Sequence, residues 1–152
     1  MMATFQHPAI PLIELSLKSE YALLALMELA NHHRAEQPLQ IRHIAQQRHI
    51  PDRYLEQLLS TLKRHGLVKS QRGAKGGYLL AKPPDQMNLL EIMSCLEGVT
   101  EVPRVPDLEE SVVRCVWRQS QRAAMGILQS CTLEALCEQE RQRQLPNAMY
   151  YI

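Results

Sequence analysis

Pro51–Leu80 reads PDRYLEQLLSTLKRHGLVKSQRGAKGGYLL. Leu55, Leu58, Leu59 and Leu62, with Tyr54 beside them, recur at three- and four-residue steps. That spacing predicts a helix from Asp52 to about His65 with one apolar stripe. Pro51 suits a helix start, and Asp52 places a negative charge in the first turn, where the helix dipole favours it. Gly66 ends the helix as a left-handed cap. Leu67–Ser70 and Tyr78–Leu80 then read as two short strands. Between them Gln71-Arg72-Gly73-Ala74-Lys75-Gly76-Gly77 supplies three glycines and two cations, a hairpin whose backbone can approach another surface closely.

Upstream, Leu39–Arg48 predicts a shorter helix with Ile41, Ile44 and Ala45 on one face, broken by His49-Ile50-Pro51. Before it, Ser19–His33 carries Tyr21, Leu24, Ala25 and Leu29 at helical spacing, with Ser16 or Ser19 as its cap. Helix, helix, tight break, helix, strand, glycine-rich hairpin, strand is the order of a winged helix-turn-helix. Downstream, Pro83-Pro84 marks a boundary. Asn88 with Glu91 resembles a capping box for a helix Leu89–Glu97, closed by Gly98. Thr100–Pro106 reads as a loop. Leu108 to about Ser130 predicts a long helix, and Thr132 caps a last one from Leu133 to about Arg143.

The fold expected is therefore mainly α: a winged helix-turn-helix with a two-stranded wing and a long C-terminal dimerisation helix. The expected division is a flexible extension over 1–14, a DNA-binding domain over 15–82 and a linker helix and loop over 83–106. A dimerisation helix and short final helix over 107–144 and a tail over 145–152 complete it.

Charge is distributed unevenly. The 152-residue chain has a formal net charge of only +1, which by itself points to no partner. Residues 40–85, however, hold nine Lys/Arg against three Asp/Glu. A basic block inside a near-neutral chain fits a nucleic-acid module, although a solvated basic face would look the same. No apolar run reaches membrane-spanning length, and the first residues lack a secretory pattern. A cytoplasmic protein with four reduced cysteines is expected. An enzyme is not: there is no phosphate loop ending in Lys-Ser or Lys-Thr, no Gly-x-Ser-x-Gly and no His-Glu-x-x-His.

With the leucine stripe buried, Arg53, Glu56, Gln57, Ser60 and Arg64 face outward. Arg and Gln make bidentate contacts to guanine and adenine, and Glu accepts from cytosine. Tyr54 offers a hydroxyl to a phosphate. Arg72 and Lys75 in the wing can reach phosphates or the minor groove. An ordinary amphipathic helix would also show a polar outer face. A winged-helix module that binds protein instead of DNA is the alternative from another class, and salt dependence of binding separates the two.

Leu15-Ser16-Leu17-Lys18-Ser19-Glu20-Tyr21-Ala22-Leu23, Arg53-Tyr54-Leu55-Glu56-Gln57-Leu58-Leu59 and Gly66 through Tyr78 together resemble the Rrf2 family of bacterial winged helix-turn-helix transcription regulators. Leu96-Glu97-Gly98 and the helix carrying Trp117 match as well. The resemblance spans about Leu15–Cys137. It implies a homodimer built on the long helix, binding a roughly palindromic operator in double-stranded DNA, usually as a repressor. It assigns DNA contacts to Tyr54, Glu56, Gln57 and Arg72, whereas Arg53 falls where the family varies. The apolar seam Val113, Val116, Trp117, Ala124, Ile127 and Leu128 is then the dimer face. Residues 1–14 are extra, and Pro51 replaces a Ser-type cap.

Some members hold an iron–sulfur cluster on three cysteines before the long helix, with a His or acidic fourth ligand. Here Val99–Ser111 contains no cysteine, and Ser111 and Arg114 stand at the family's Cys and His positions. Glu20 matches an acidic ligand used by some members, so Glu20 and Cys115 are the residual metal candidates. An iron–sulfur or thiol redox-sensing version of the same regulator stays open. So does sensing through an unknown effector or partner protein. Cys95 and Cys115 read otherwise as small buried hydrophobes, and Cys131 and Cys137, which lack the spacing of a redox pair, as two partly buried thiols. The histidines, His32 and His43 among them, read as surface groups or phosphate neighbours.

Overall fold

The computed structural model of the chain describes residues 14–98 and 111–149, excepting the side chains of 146–149. The expected extension up to residue 13, the loop Thr100–Pro106 and the expected helix start at Leu108 lie outside these residues.

Helix α1 (Leu17–Asn31) is the centre of the fold. Ser16 caps it, its hydroxyl accepting from the Ser19 amide at 3.1 Å. The helix starts two residues earlier than the spacing predicts, because the cap is Ser16 and not Ser19. Ala22, Ala25, Leu26 and Leu29 are buried in it. It packs on α2 (Ile41–Arg48), α3 (Asp52–Arg64), α4 (Leu89–Glu97) and α6 (Leu133–Met149). An element with neighbours on several sides needs apolar residues around much of its circumference, which explains its dense Leu, Ala and Met content.

Leu39 is not helical, contrary to the expected start of the second helix. Its backbone pairs with Tyr78, and Gln40 is still extended, so α2 begins at Ile41. At its other end His49 takes a left-handed conformation (φ 54°), and buried Ile50 precedes Pro51. This is the tight turn into α3.

Leu55, Leu58, Leu59 and Leu62 of α3 are buried against the core, and Gly66 turns left-handed (φ 74°) after the helix. Strands β1 (Val68–Gln71) and β2 (Gly77–Leu80) pair antiparallel, Val68 opposite Leu80 and Gln71 opposite Gly77. In α4 the Asn88 side chain accepts from the Glu91 amide at 2.9 Å. The other half of the expected capping box is not made. The Glu91 carboxylate instead pairs with Lys82 at 2.5 Å.

Helix α5 (Val112–Ser130) is capped by Ser111 and has no buried residue. It leads into α6, where Thr132 Oγ1 accepts from the Ala135 amide. Helix α6 runs to Met149, past the Arg143 expected and into the expected tail. It turns back onto α1, burying Leu133 and Cys137. Tertiary packing therefore anchors the first two turns of this helix, while its glutamine- and arginine-rich continuation over 141–145 is exposed. Among the described residues no helix is long and apolar enough to cross a membrane.

Candidate nucleic-acid interface

The outer face of α3 is built by the burial of its inner one. Arg53, Glu56, Gln57, Ser60 and Arg64 are all exposed, and together with Thr61 they line one shallow surface. Thr61 Oγ1 donates to the Gln57 carbonyl at 3.1 Å and receives Arg64 Nη2 at 3.3 Å. No described residue engages the side chains of Arg53, Glu56 or Gln57, which leaves their donors and acceptors available for a ligand. The predicted outward set is thus brought onto one face.

Tyr54 is different. Its ring is half-buried and meets Tyr21 of α1 edge to face, with centroids 5.7 Å apart at 73°. It packs α3 onto α1, so only part of the side chain remains exposed.

The wing stands beside this face. Lys63 Nζ at the end of α3 donates to Ser70 Oγ of β1 at 2.7 Å. Arg72 and Lys75 at the tip are exposed, and the turn between them closes with the Gly76 amide on the Gly73 carbonyl at 2.9 Å. The wing base is fixed from the opposite side by Leu39. Gly77 makes that junction feasible: at φ 152°, a Cβ there would lie 2.4 Å from the Leu39 carbonyl oxygen. Sequence reading placed the glycines in a hairpin whose backbone can approach another surface, but did not identify Leu39 as that surface.

On α5, Val113, Val116, Trp117 and Ile127 are exposed and Ala124 and Leu128 half-buried. Met125 and Val112 add to the apolar surface. Only α4 makes substantial contact with this helix among the described elements. An uncovered apolar face of this length is unusual for a chain that works alone.

The cysteines are scattered. Cys95 is half-buried on α4, where burial and then Glu91 push its thiol up. Cys137 is buried on α6, its thiol also pushed up, by burial first and Glu140 next. Cys115 is exposed on α5, not buried as expected, because no residue of that helix is buried, and Cys131 Sγ faces the Thr132 carbonyl. Glu20 is exposed. Among the described residues neither Glu20 nor Cys115 joins a group of three metal-ligating side chains. An iron–sulfur cluster needs several converging thiolates. These residues, with no cysteine in 99–111, do not fit one.

Sequence reading missed two polar clusters. At one, the Glu97 carboxylate accepts from the hydroxyls of Ser16 and of Ser19, the latter at 2.5 Å, while Lys18 donates to the Leu96 carbonyl at 3.1 Å. These bonds join the end of α4 to the start of α1. At the other, Glu28, His32, His43, Arg48 and Glu140 meet where α1, α2 and α6 converge. Their members are far apart in the chain, and only Glu28 and His32 carried a local signal, four residues apart on one helix.

Residues 15–139 match the family model Rrf2, described as an iron-dependent transcriptional regulator. The chain is 40% identical over 124 residues to the HTH-type transcriptional regulator CymR of Bacillus subtilis (strain 168), covering 82% of this chain and 89% of that protein. The solved structure of CymR, the global cysteine regulator of B. subtilis, superposes with a TM-score of 0.75 at 39% identity, over 83% of this chain and 97% of that one. That of T. potens IscR superposes with a TM-score of 0.74 at 33% identity, over 87% and 91%.

Proposed function

Because the chain belongs to the Rrf2 family of transcriptional regulators, we propose that it binds a roughly palindromic operator as a homodimer in the cytoplasm and represses transcription there. The observation that carries this reading is the exposed polar face of α3, Arg53-Glu56-Gln57-Ser60-Arg64, on which no described residue engages Arg53, Glu56 or Gln57, flanked by a cationic wing.

Arg53, Glu56 and Gln57 enter the major groove and read base edges, while Ser60 and Arg64 contact the adjoining backbone. Tyr54 supports the helix from behind and reaches a phosphate with its hydroxyl. Arg72 and Lys75 touch the flanking phosphates or minor groove. Two chains pair through Val113, Val116, Trp117, Ala124, Ile127 and Leu128. Pairing sets two α3 helices about one turn of DNA apart, so the operator mirrors the two-fold axis of the protein. The tight support of α3 and the wing means that little order has to be acquired on binding.

The test is a titration of fluorescent duplexes from the DNA upstream of its own gene, against a scrambled duplex, over a salt series. Specific binding that weakens steeply with salt supports the reading. Equal binding to both duplexes removes the operator from it.

A further inference from the structure

Glu28 is a carboxylate buried to 7% exposure on the central helix. Its Oε2 accepts from Arg48 Nε at 2.9 Å. The other two guanidinium nitrogens of Arg48 fork onto Glu140, at 2.6 and 3.1 Å. One guanidinium therefore serves two carboxylates, and a negative charge is left over at Glu28 Oε1. Burying uncompensated charge is costly, so this side calls for a positive group.

Two imidazoles face that oxygen. His32 Nδ1 and His43 Nε2 each lie 3.8 Å from Glu28 Oε1, beyond hydrogen-bond reach. His43 Nε2 is buried and has no hydrogen-bond partner. The rings meet edge to face at 5.6 Å, and one ligand atom from each of the three residues falls within 4.8 Å of the others. His32 Nδ1 also lies 3.1 Å from the Glu28 carbonyl, a contact it would release on turning toward a ligand.

We propose that Glu28, His32 and His43 bind one divalent transition-metal ion. Two imidazoles and a carboxylate suit Zn²⁺, Co²⁺ or Fe²⁺ and disfavour Ca²⁺ and Mg²⁺. Bonds of about 2.1 Å in a tetrahedral site put neighbouring ligand atoms roughly 3.4 Å apart. Side-chain rotation has to close separations of 3.8 Å at Glu28 Oε1, and of at most 4.8 Å among the three ligand atoms, to that value. The His32 and His43 side chains are partly exposed although His43 Nε2 itself is buried, so the remaining ligand is water that enters along those rings. The ion supplies the charge that Arg48 lacks, and it ties α1 to α2, the helix that packs on α3. This site contains no cysteine and stands independently of the DNA-binding reading.

Untagged, metal-free, thiol-reduced protein is titrated with Co²⁺ and then with Zn²⁺. The site gives one Co²⁺ per chain with weak visible bands of nitrogen–oxygen ligation, no sulfur charge-transfer band, and displacement by Zn²⁺. His32→Ala and His43→Ala each lower the affinity at least about tenfold, a loss that even outer-shell changes can cause. Both keep the wild-type circular dichroism, since both rings are partly exposed. In wild-type protein, Zn²⁺ shifts the ring nitrogen resonances of His32 and His43 but not of His33 and His65, a readout independent of the variants. No Co²⁺ binding, a sulfur charge-transfer band at the first equivalent, or unmoved His32 and His43 resonances overturns the proposal.

Discussion

Leu39 and Tyr78 exchange both of their backbone hydrogen bonds, at 2.9 and 2.8 Å. A single residue before α2 thereby becomes a third edge for the two-stranded wing. The wing is held to the helix-turn-helix by backbone hydrogen bonds.

Gly77→Ala tests that junction. A methyl group there meets the Leu39 carbonyl oxygen at 2.4 Å, in a conformation that L side chains rarely adopt. The variant is expected to lose about 1–3 kcal/mol of stability and to bind operator more weakly even where it is folded. Urea unfolding with parallel binding assays measures both, and wild-type values in each contradict the assigned junction.

The two halves of the interface should fail differently. Gln57→Ala is expected to lose about 1–3 kcal/mol of discrimination at one base pair per half-site, with its salt dependence intact. Arg72→Ala should weaken binding to all sequences and lower the salt slope by about one per lost phosphate contact. If Arg72 inserts in the minor groove instead, preference relaxes at an A·T-rich flank. Binding of a duplex panel by both variants like wild type would mean that the assigned face is wrong.

Trp117→Asp places a charge in the middle of the uncovered seam of α5. Light scattering on wild-type protein is expected to give twice the chain mass, and on the variant the single chain mass. Its circular dichroism should be retained, because no residue of α5 is buried in its own chain. A variant that stays dimeric moves the interface elsewhere.

Glu97 links α4 to α1 and carries a pH dependence. The hydroxyls of Ser16 and Ser19 donate to it and hold its carboxyl below its ordinary value of 4.5. A carboxyl lowered on folding adds stability above that value and loses it as the pH falls through the folded one. Below about pH 4.5 the wild-type melting midpoint should therefore fall more steeply than that of Glu97→Gln. The effect is small, because the group is exposed. Parallel melting curves in acid would contradict the link.

Much of this architecture is legible in local sequence. The leucine spacing of α3, Gly66 after it and Asn88 before α4 each act through neighbours within one helical turn. What escapes reading acts over distance. Leu39 pairs across 39 positions with Tyr78, and nothing in one extended residue announces it. Helix α6 is polar near its end, and sequence reading ended it about six residues too early; its packing against α1 is at Leu133 and Cys137, near its start. Glu28, His43, Arg48 and Glu140 are unremarkable singly, and only the convergence of three helices makes them a cluster. The outward residues of α3 were readable because burying one helical face determines the other. Tyr54 was readable only in part, since its ring is shared between the core and that face.

The most direct measurement of the central claim is a hydroxyl-radical footprint of the full chain on the DNA upstream of its own gene. Two symmetric protections about one helical turn apart, both lost in a Gln57→Ala Arg72→Ala double variant, are the predicted result. A single protection, one without two-fold symmetry, or a pattern that the double variant leaves unchanged would contradict it.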